Sequence, residues 1–415
     1  MSSAGKKYPF IFYPLGILGI LLTSFIFTMA IDRALSIFGF PSYIQPQITH
    51  PPNFQEQRDG LESNYLFKTN SQGLRYREIP LTKSEEEYRI YVAGDSYTEG
   101  EGVNETERFT ELLEKAFSKK DQKVLFINGG LSGTGPFEYL RAFLEVGLKY
   151  QPDGLLICLY ANDVINTRNR EILIEYEQKF KNSKGIKKIA YLLFPHIYAG
   201  MTKIIETRSK IKLSKPKDYI KKVREQALIL GIPDAQIENW IKTLPQELIP
   251  AINQGRLNPN PLSMGLFYPD YWKDCIDLSS PEAEIDFRTL ILILEQTLRE
   301  CRQKNIKVAL VYIPSPFQYD PKVHQLNVPN LWRISGVKLE KRWLYEKSIV
   351  QIRLEQWSKM YNVPFLDLTP ILREHAKQNQ LLTYPLDGHL NISGHRKVAK
   401  AIEQWIRANK VFPIF

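Results

Sequence analysis

Two segments at opposite ends of this chain hold a serine, an aspartate and a histidine of the kinds that can share a proton. Gly94-Asp95-Ser96-Tyr97-Thr98-Glu99-Gly100 directly follows an apolar run, and Tyr384-Pro385-Leu386-Asp387-Gly388-His389-Leu390-Asn391 leads into the last helical pattern. A histidine held by an aspartate is the base that makes a serine hydroxyl nucleophilic at neutral pH. Two further segments can donate hydrogen bonds. Asn128-Gly129-Gly130-Leu131-Ser132-Gly133-Thr134-Gly135-Pro136 is rich in glycine, so its backbone N–H groups can approach a ligand closely. Tyr160-Ala161-Asn162-Asp163 offers a side-chain amide, a donor of the kind a developing oxyanion needs. Taken singly, each segment has a plain structural explanation. Ser96 would serve as a helix N-cap, the glycines as a turn, Asn162 as an Asx-turn, and Asp387 and His389 as ordinary loop residues. The serine is not in a G-x-S-x-G elbow, since Thr98 stands where the second glycine would be.

The surrounding elements decide between these explanations. Five short apolar runs suit buried parallel strands: Tyr88–Ala93, Val124–Ile127, Gly154–Tyr160, Val308–Ile313 and Pro364–Leu368. Helical patterns fall between and after them, at Arg108–Ser118, Phe137–Leu148, Glu284–Gln303, Lys341–Tyr361 and Ser393–Ala408, the last with Ser393 as its expected N-cap. Alternating strands and helices imply a parallel sheet covered on both faces, with functional groups gathering at the strands' C-terminal edge. Ser96, the glycine-rich segment and Asn162 each directly follow a predicted strand. Asp387 and His389 lie between the last strand and the last helix. All four segments can therefore reach one edge, a coincidence that unrelated caps and turns do not predict.

Ser96 in Gly94-Asp95-Ser96, then Gly133, Asn162 and His389, in this order and strand context, resemble the four signature residues of the SGNH/GDSL hydrolase superfamily. Asn70-Ser71-Gln72-Gly73-Leu74-Arg75 also resembles a lead-in of many exported members. The resemblance covers roughly 70–163 and 282–408. It implies a three-layer α/β/α flavodoxin-like fold with five parallel strands. It further implies Ser96 as nucleophile and an oxyanion hole from the Ser96 N–H, the Gly133 N–H and the Asn162 side chain. Asp387 and His389 complete the expected triad. Two positions depart from the family pattern. Tyr160 occupies the glycine position of the usual Gly-x-Asn-Asp block, which is expected to narrow the cleft. Asp387-Gly388-His389 replaces Asp-x-x-His, a shorter spacing similar to that of exported SGNH-like polysaccharide acetyltransferases. The reaction expected is acyl transfer through an acyl-serine, to water in an esterase or to a sugar hydroxyl in an O-acyltransferase. The expected substrates are acyl esters of cell-envelope glycans or lipids. A lysophospholipase-like or lipase-like hydrolase is the alternative enzyme. A catalytically inactive, membrane-anchored glycan-binding or assembly protein is the alternative of another class.

Composition agrees with an anchored globular protein. Of 415 residues, 43% are hydrophobic and 24% charged, which excludes a disordered chain. A net charge of +10 is open to several anionic partners, but no zinc-finger spacing, basic heptads or aromatic RNA-binding signature favours nucleic acid. No charged residue interrupts Tyr8–Ala30, long enough as a helix for a hydrocarbon core of about 30 Å. Lys6 and Lys7 precede it, so residues 1–33 read as a cytoplasmic tail and signal anchor with everything later outside. Cleavage after Thr28-Met29-Ala30 is the rival reading, and it too exports the domain. Residues 34–69 read as a linker and 70–408 as the hydrolase-like domain. Within it, 166–278 is expected to be a basic helical insertion or cap, with Lys179, Lys181, Lys184, Lys187, Lys188, Lys203, Lys210, Lys212, Lys215, Lys217, Lys221 and Lys222 on solvated faces or near anionic headgroups. Cys158 reads as a buried hydrophobe. An oxidising compartment would permit a Cys275–Cys301 pair, which sequence does not place within bonding distance. No spacing supports a metal site, and no cofactor is expected. His395 reads as structural, and His50, His196, His324 and His375 lack a serine partner.

Overall fold

A computed structural model describes residues 12–37, 48–118, 123–167, 189, 193, 194, 196, 197, 218–325, 327–378 and 380–414. The chain divides into two compact units, one covering 1–46 and 171–214, the other 47–170 and 215–415. In the first, Phe12–Ile37 is helical. Its stretch Gly16–Leu35 has a mean hydropathy of 1.7 and is long and apolar enough to cross a membrane, a property shared by signal sequences. The helix runs on past Ala30 through Asp32 and Arg33. Asp32 is buried and accepts a hydrogen bond from the Ile197 N–H at 2.9 Å, so the charge that marked the expected boundary is partnered instead of solvated. Phe25 packs edge-on against Phe194 within the same unit.

In the second unit, β1 (Gln55–Asp59) and β2 (Asn64–Lys68) pair antiparallel. Part of the expected linker is thus a hairpin. Its cause is an alternation at the end of the stretch: Tyr65 and Phe67 are buried while Asn64 and Lys68 are exposed. Arg58 lies over the Phe67 ring at 3.8 Å.

The main sheet contains β3 (Glu87–Gly94), β4 (Lys123–Gly130), β5 (Gly154–Tyr160), β6 (Lys307–Ile313) and β7 (Phe365–Asp367), all parallel, in the spatial order β4-β3-β5-β6-β7. Each contains or lies within a predicted strand. Their apolar runs are continuous because both faces are covered. Adjacent Ile90 and Tyr91 point to opposite faces. Tyr91 meets Phe143 of the helix Pro136–Glu145, while Ile90 shares its surroundings with Phe412, just after the final helix Ile392–Asn409. That helix and Phe109–Phe117 form one outer layer, tied by Arg407 donating to Ala116 O at 2.8 Å. Pro136–Glu145 and Pro281–Gln303 form part of the other. The fold is therefore the expected three-layer α/β/α, five-stranded parallel type.

Two local expectations change. Lys341–Tyr361 is not one helix. A short 3-10 turn, Lys341–Leu344, precedes a helix that starts only at Ile349. There Ser348 and Gln351 cap each other reciprocally: Ser348 Oγ accepts from Gln351 N, and Gln351 Oε1 accepts from Ser348 N at 2.8 Å. The cap of the final helix is Asn391, whose Oδ1 accepts from Gly394 N at 3.0 Å, while Ser393 Oγ bonds Gln380 at 2.6 Å.

The described part of the 166–278 region is helical: Tyr219–Ile229, Asp234–Thr243, Ile249–Asn253, Asn260–Phe267 and Tyr271–Asp277. The first four surround a small core of their own that includes Ile237, Trp240, Leu262 and, from outside the insertion, Leu331. Lys221 and Lys222 lie on the first of these helices. Lys179, Lys181, Lys184, Lys187, Lys188, Lys203, Lys210, Lys212, Lys215 and Lys217 lie outside the described residues. Cys158 and Cys301 are free, buried thiols, so the Cys275–Cys301 disulfide is not formed. Cys275 and Cys301 serve instead as buried packing groups on separate helices, Tyr271–Asp277 and Pro281–Gln303.

Candidate active site

Strand β3 ends at Gly94 and turns at once into a short helix, Ser96–Glu99. The cap of this helix is Asp95, whose Oδ1 accepts from Tyr97 N at 2.9 Å, so Ser96 is not used as a cap. The turn sits very close to β4: a Cβ on Gly130 would lie 2.2 Å from Glu99 N, which only glycine permits. Arg75, from the lead-in segment, is buried and donates to Glu99 O at 3.0 Å, Gly100 O at 2.5 Å and Val103 O at 2.6 Å. One guanidinium thereby fixes the chain immediately beyond the serine helix.

The loop after β7 returns to this turn. Gly388 N bonds Tyr384 O at 2.8 Å and Tyr384 N bonds His389 O at 2.9 Å, closing 384–389 on itself. Gly388 has φ +87°, a conformation that L side chains rarely adopt. His389 Nε2 lies 2.8 Å from Ser96 Oγ, and its Nδ1 lies 2.5 Å from Asp387 Oδ2. Residues separated by 293 positions are thus linked in one hydroxyl–imidazole–carboxylate chain. In the neutral ring, a proton on Nδ1 directed at the carboxylate leaves Nε2 to accept from the serine.

Tyr160 does not act as a bare obstruction. It is buried, stacks on Tyr97 with ring centroids 3.8 Å apart, and its hydroxyl lies 2.9 Å from that of Tyr97. The Tyr97 hydroxyl donates to Gly388 O at 2.7 Å. Tyr160 therefore buttresses the histidine loop through Tyr97.

Gly133 and Asn162 stand on the loops after β4 and β5, on either side of β3. Within the first loop the N–H groups of Leu131, Ser132 and Gly135 bond Gly94 O, Glu99 Oε1 and Glu138 Oε2. Gly133 N–H meets no acceptor among the described residues, its φ is +75°, and the space above its Cα is open. Asp163, not Asn162, closes β5: its Oδ2 accepts from Tyr160 N at 2.9 Å and its Oδ1 from the Tyr139 hydroxyl at 2.7 Å. The Asn162 side chain makes no cap bond.

Carboxylates crowd the imidazole. Glu101 Oε2 lies 3.8 Å from His389 Nε2 and accepts from Ser132 Oγ at 2.9 Å. Burial disfavours the charged ring, but Asp387 first, then Glu101 and Asp95, outweigh it and raise the His389 pKa to about 10. Burial raises the Asp387 carboxyl, and His389 more than reverses this, leaving it below the usual range. Buried Asp95 is pushed up to about 7, by desolvation against the pull of the Tyr97 N–H. Glu99, fully buried, is held low by His50, to which it is hydrogen-bonded; burial alone would raise it. His395 is buried and accepts from Phe109 N at 3.3 Å, as its structural reading implies.

Sequence reasoning missed Glu101, Glu99 with its partner His50, and Glu62, which accepts from the N–H groups of Leu386 and Asp387. Glu101 carried a weak signal, five residues beyond Ser96 and just past the Gly94–Gly100 segment. Glu62 carried none. No group of metal-binding side chains occurs among the described residues.

No family model matches this chain, and no curated protein does. Solved structures do resemble it. One is the crystal structure of TesA, at 11% identity and a TM-score of 0.36, covering 79% of this chain and 99% of that one. A second is a putative lipolytic protein of the G-D-S-L family from Desulfitobacterium hafniense DCB-2, at 12%, 0.35, 76% and 98%. A third is the acetyl xylan esterase AlAXEase, at 11%, 0.35, 77% and 98%. At such identities the chemistry of this chain has to be argued from its own side chains.

Proposed function

We propose that this protein is a serine esterase or O-acyltransferase of the SGNH type, acting on acyl esters of cell-envelope glycans or lipids. The observation that carries the reading is the chain Ser96 Oγ–His389 Nε2 at 2.8 Å and His389 Nδ1–Asp387 Oδ2 at 2.5 Å. Ser96 Oγ attacks the ester carbonyl and forms a C–O bond as its proton passes to His389 Nε2. Asp387 stabilises the imidazolium. The Ser96 and Gly133 N–H groups and the Asn162 amide serve the oxyanion, at about 3 kcal/mol for such a donor. The tetrahedral adduct expels the alcohol, which takes the proton from Nε2. Water or a sugar hydroxyl then gives its proton to His389 and attacks the acyl-serine, and the proton returns to Ser96 Oγ. A helix of the length and hydropathy of Phe12–Ile37, preceded by Lys6 and Lys7, suits a single-pass anchor with the catalytic unit outside. That location favours envelope substrates.

The test is a fluorophosphonate probe on the full chain in detergent. Wild type is expected to label and Ser96→Ala to stay blank. Folded wild type that resists the probe would defeat the enzymatic reading and favour an inactive binding or assembly protein. Acetate release from p-nitrophenyl acetate, with and without an oligosaccharide acceptor, then separates esterase from transferase. Chain-length preference separates either from a lipase.

A further inference from the structure

The loop that carries Asp387 is braced from a distant part of the chain. Glu62 lies between β1 and β2, in the turn of the hairpin, and its two oxygens sit 2.9 and 3.0 Å from Leu386 N. Its Oε2 also accepts from Asp387 N at 2.8 Å. The internal bonds of the 384–389 turn leave these two N–H groups unused, and Glu62 is their acceptor among the described residues. The brace sets one carboxylate directly behind another. Burial, and then the charge on Asp387, push the Glu62 carboxyl upward, while the two backbone donors oppose this. A half-buried carboxylate next to a like charge is unfavourable unless backbone donors hold it, as they do here.

The same turn reaches the helical insertion. Leu61 N donates to Arg256 O at 2.9 Å, and Asn258, two residues further on, contacts the Asp387 side chain. Leu386 packs against the core of the insertion. Hairpin, insertion and triad loop therefore meet at Leu386 and Asp387. The short Asp-x-His spacing gives this meeting its importance. With one residue between carboxylate and imidazole, and that residue a glycine at positive φ, a small rotation at Asp387 changes the Oδ2–Nδ1 approach directly.

We propose that Glu62 is a positioning residue of the acyl-transfer site, setting the angle at which Asp387 meets His389 and coupling the hairpin and the 256–258 segment to the proton relay. The role rests on the serine-enzyme reading above, and its test separates the two. Glu62→Ala removes both acceptors. In Glu62→Gln the amide oxygen can take the place of Oε2 and accept from both N–H groups without the charge. Glu62→Ala is expected to lower kcat by about 10- to 100-fold, the size of effect an ångström-scale misplacement produces, with KM within about twofold. Fluorophosphonate titration of the same sample is expected to reach the wild-type end point, slowly, showing that the sites are folded. Glu62→Gln is expected to recover most of the rate. The acid limb of the Glu62→Ala pH–rate profile moves to lower pH, because Asp387 loses part of its hold on His389 while Glu101 and Asp95 keep theirs. A smaller folded fraction would scale the profile without moving it.

The downfield NMR proton of the Asp387–His389 hydrogen bond gives a reading independent of turnover. It is expected in wild type and Glu62→Gln, and shifted or lost in Glu62→Ala. An unchanged resonance and unchanged kcat in Glu62→Ala would overturn the brace. A resonance that depends on Glu62 in a protein that no probe or ester engages would instead uphold the brace and overturn the enzymatic reading.

Discussion

Glu101→Gln tests the electrostatics of the site, because it removes a charge and keeps the shape. The Glu101 carboxylate lies 3.8 Å from His389 Nε2, with its side chain 27% exposed. Two unit charges at that separation interact by about 1 kcal/mol in water and about 4 kcal/mol at an effective dielectric of 20. Since about 1.4 kcal/mol corresponds to one pH unit, the charge holds the His389 titration up by about one to three units, and its exposure favours the lower end. His389 must be neutral to take the serine proton. With its pKa raised to about 10, kcat/KM of the wild type should still climb through the alkaline range. Loss of a neighbouring anion lowers the pKa, so the acid limb of Glu101→Gln should begin about one unit earlier. The same carboxylate also stabilises the imidazolium formed during attack, so the alkaline plateau of the variant should fall. The two profiles must therefore cross, the variant faster near neutrality and slower at high pH.

The measurement is the second-order rate of fluorophosphonate labelling between about pH 6 and 11, a reaction that avoids the alkaline decomposition of activated esters. Thermal melting at each pH restricts the comparison to folded protein. An acid limb that coincides with that of the wild type, or lies above it, would refute the reasoning: Glu101 would then be screened by water or turned away from the ring.

Three other outcomes follow from the same geometry. Tyr97→Phe leaves the Gly388 carbonyl without its donor and should destabilise the fold by about 1–3 kcal/mol in denaturant titration, with slower labelling of Ser96. Gly388→Ala places a Cβ at φ +87°, which should cost about 1–2 kcal/mol; kcat should fall further than this strain alone implies, since the residue separates base from carboxylate. Removing residues 1–37 should release the protein from sedimenting membranes while the soluble remainder still labels at Ser96, because the triad lies wholly in the other unit.

What was readable beforehand follows the range of the interactions involved. Buried parallel strands announce themselves locally, as apolar runs such as Gly154–Tyr160, and the sheet's C-terminal edge then collects whatever follows them. Ser96, Gly133 and Asn162 could be placed at that edge for this reason. The hairpin was obscured because β1 is polar and almost wholly exposed; only Tyr65 and Phe67, in β2, carry its burial. The Asn391 cap was missed because Asn391 and Ser393 are both good caps two residues apart, and only the path of the chain decides between them.

Glu62 and Glu101 show why the rest of the site was hidden. Neither belongs to a motif, and each acts on a partner fixed by tertiary packing: Glu62 on Asp387, 325 residues later, and Glu101 on a histidine reached only after the sheet has formed. The close spacing that was legible, a single residue between Asp387 and His389, points to the same conclusion. A shorter spacing leaves the carboxylate less freedom to find the imidazole by its own torsions. Its orientation must then come from the backbone, and the backbone N–H groups at Leu386 and Asp387 are the ones Glu62 accepts from. The local anomaly and the remote carboxylate are two halves of one constraint: a turn too short to align itself is aligned by a hairpin.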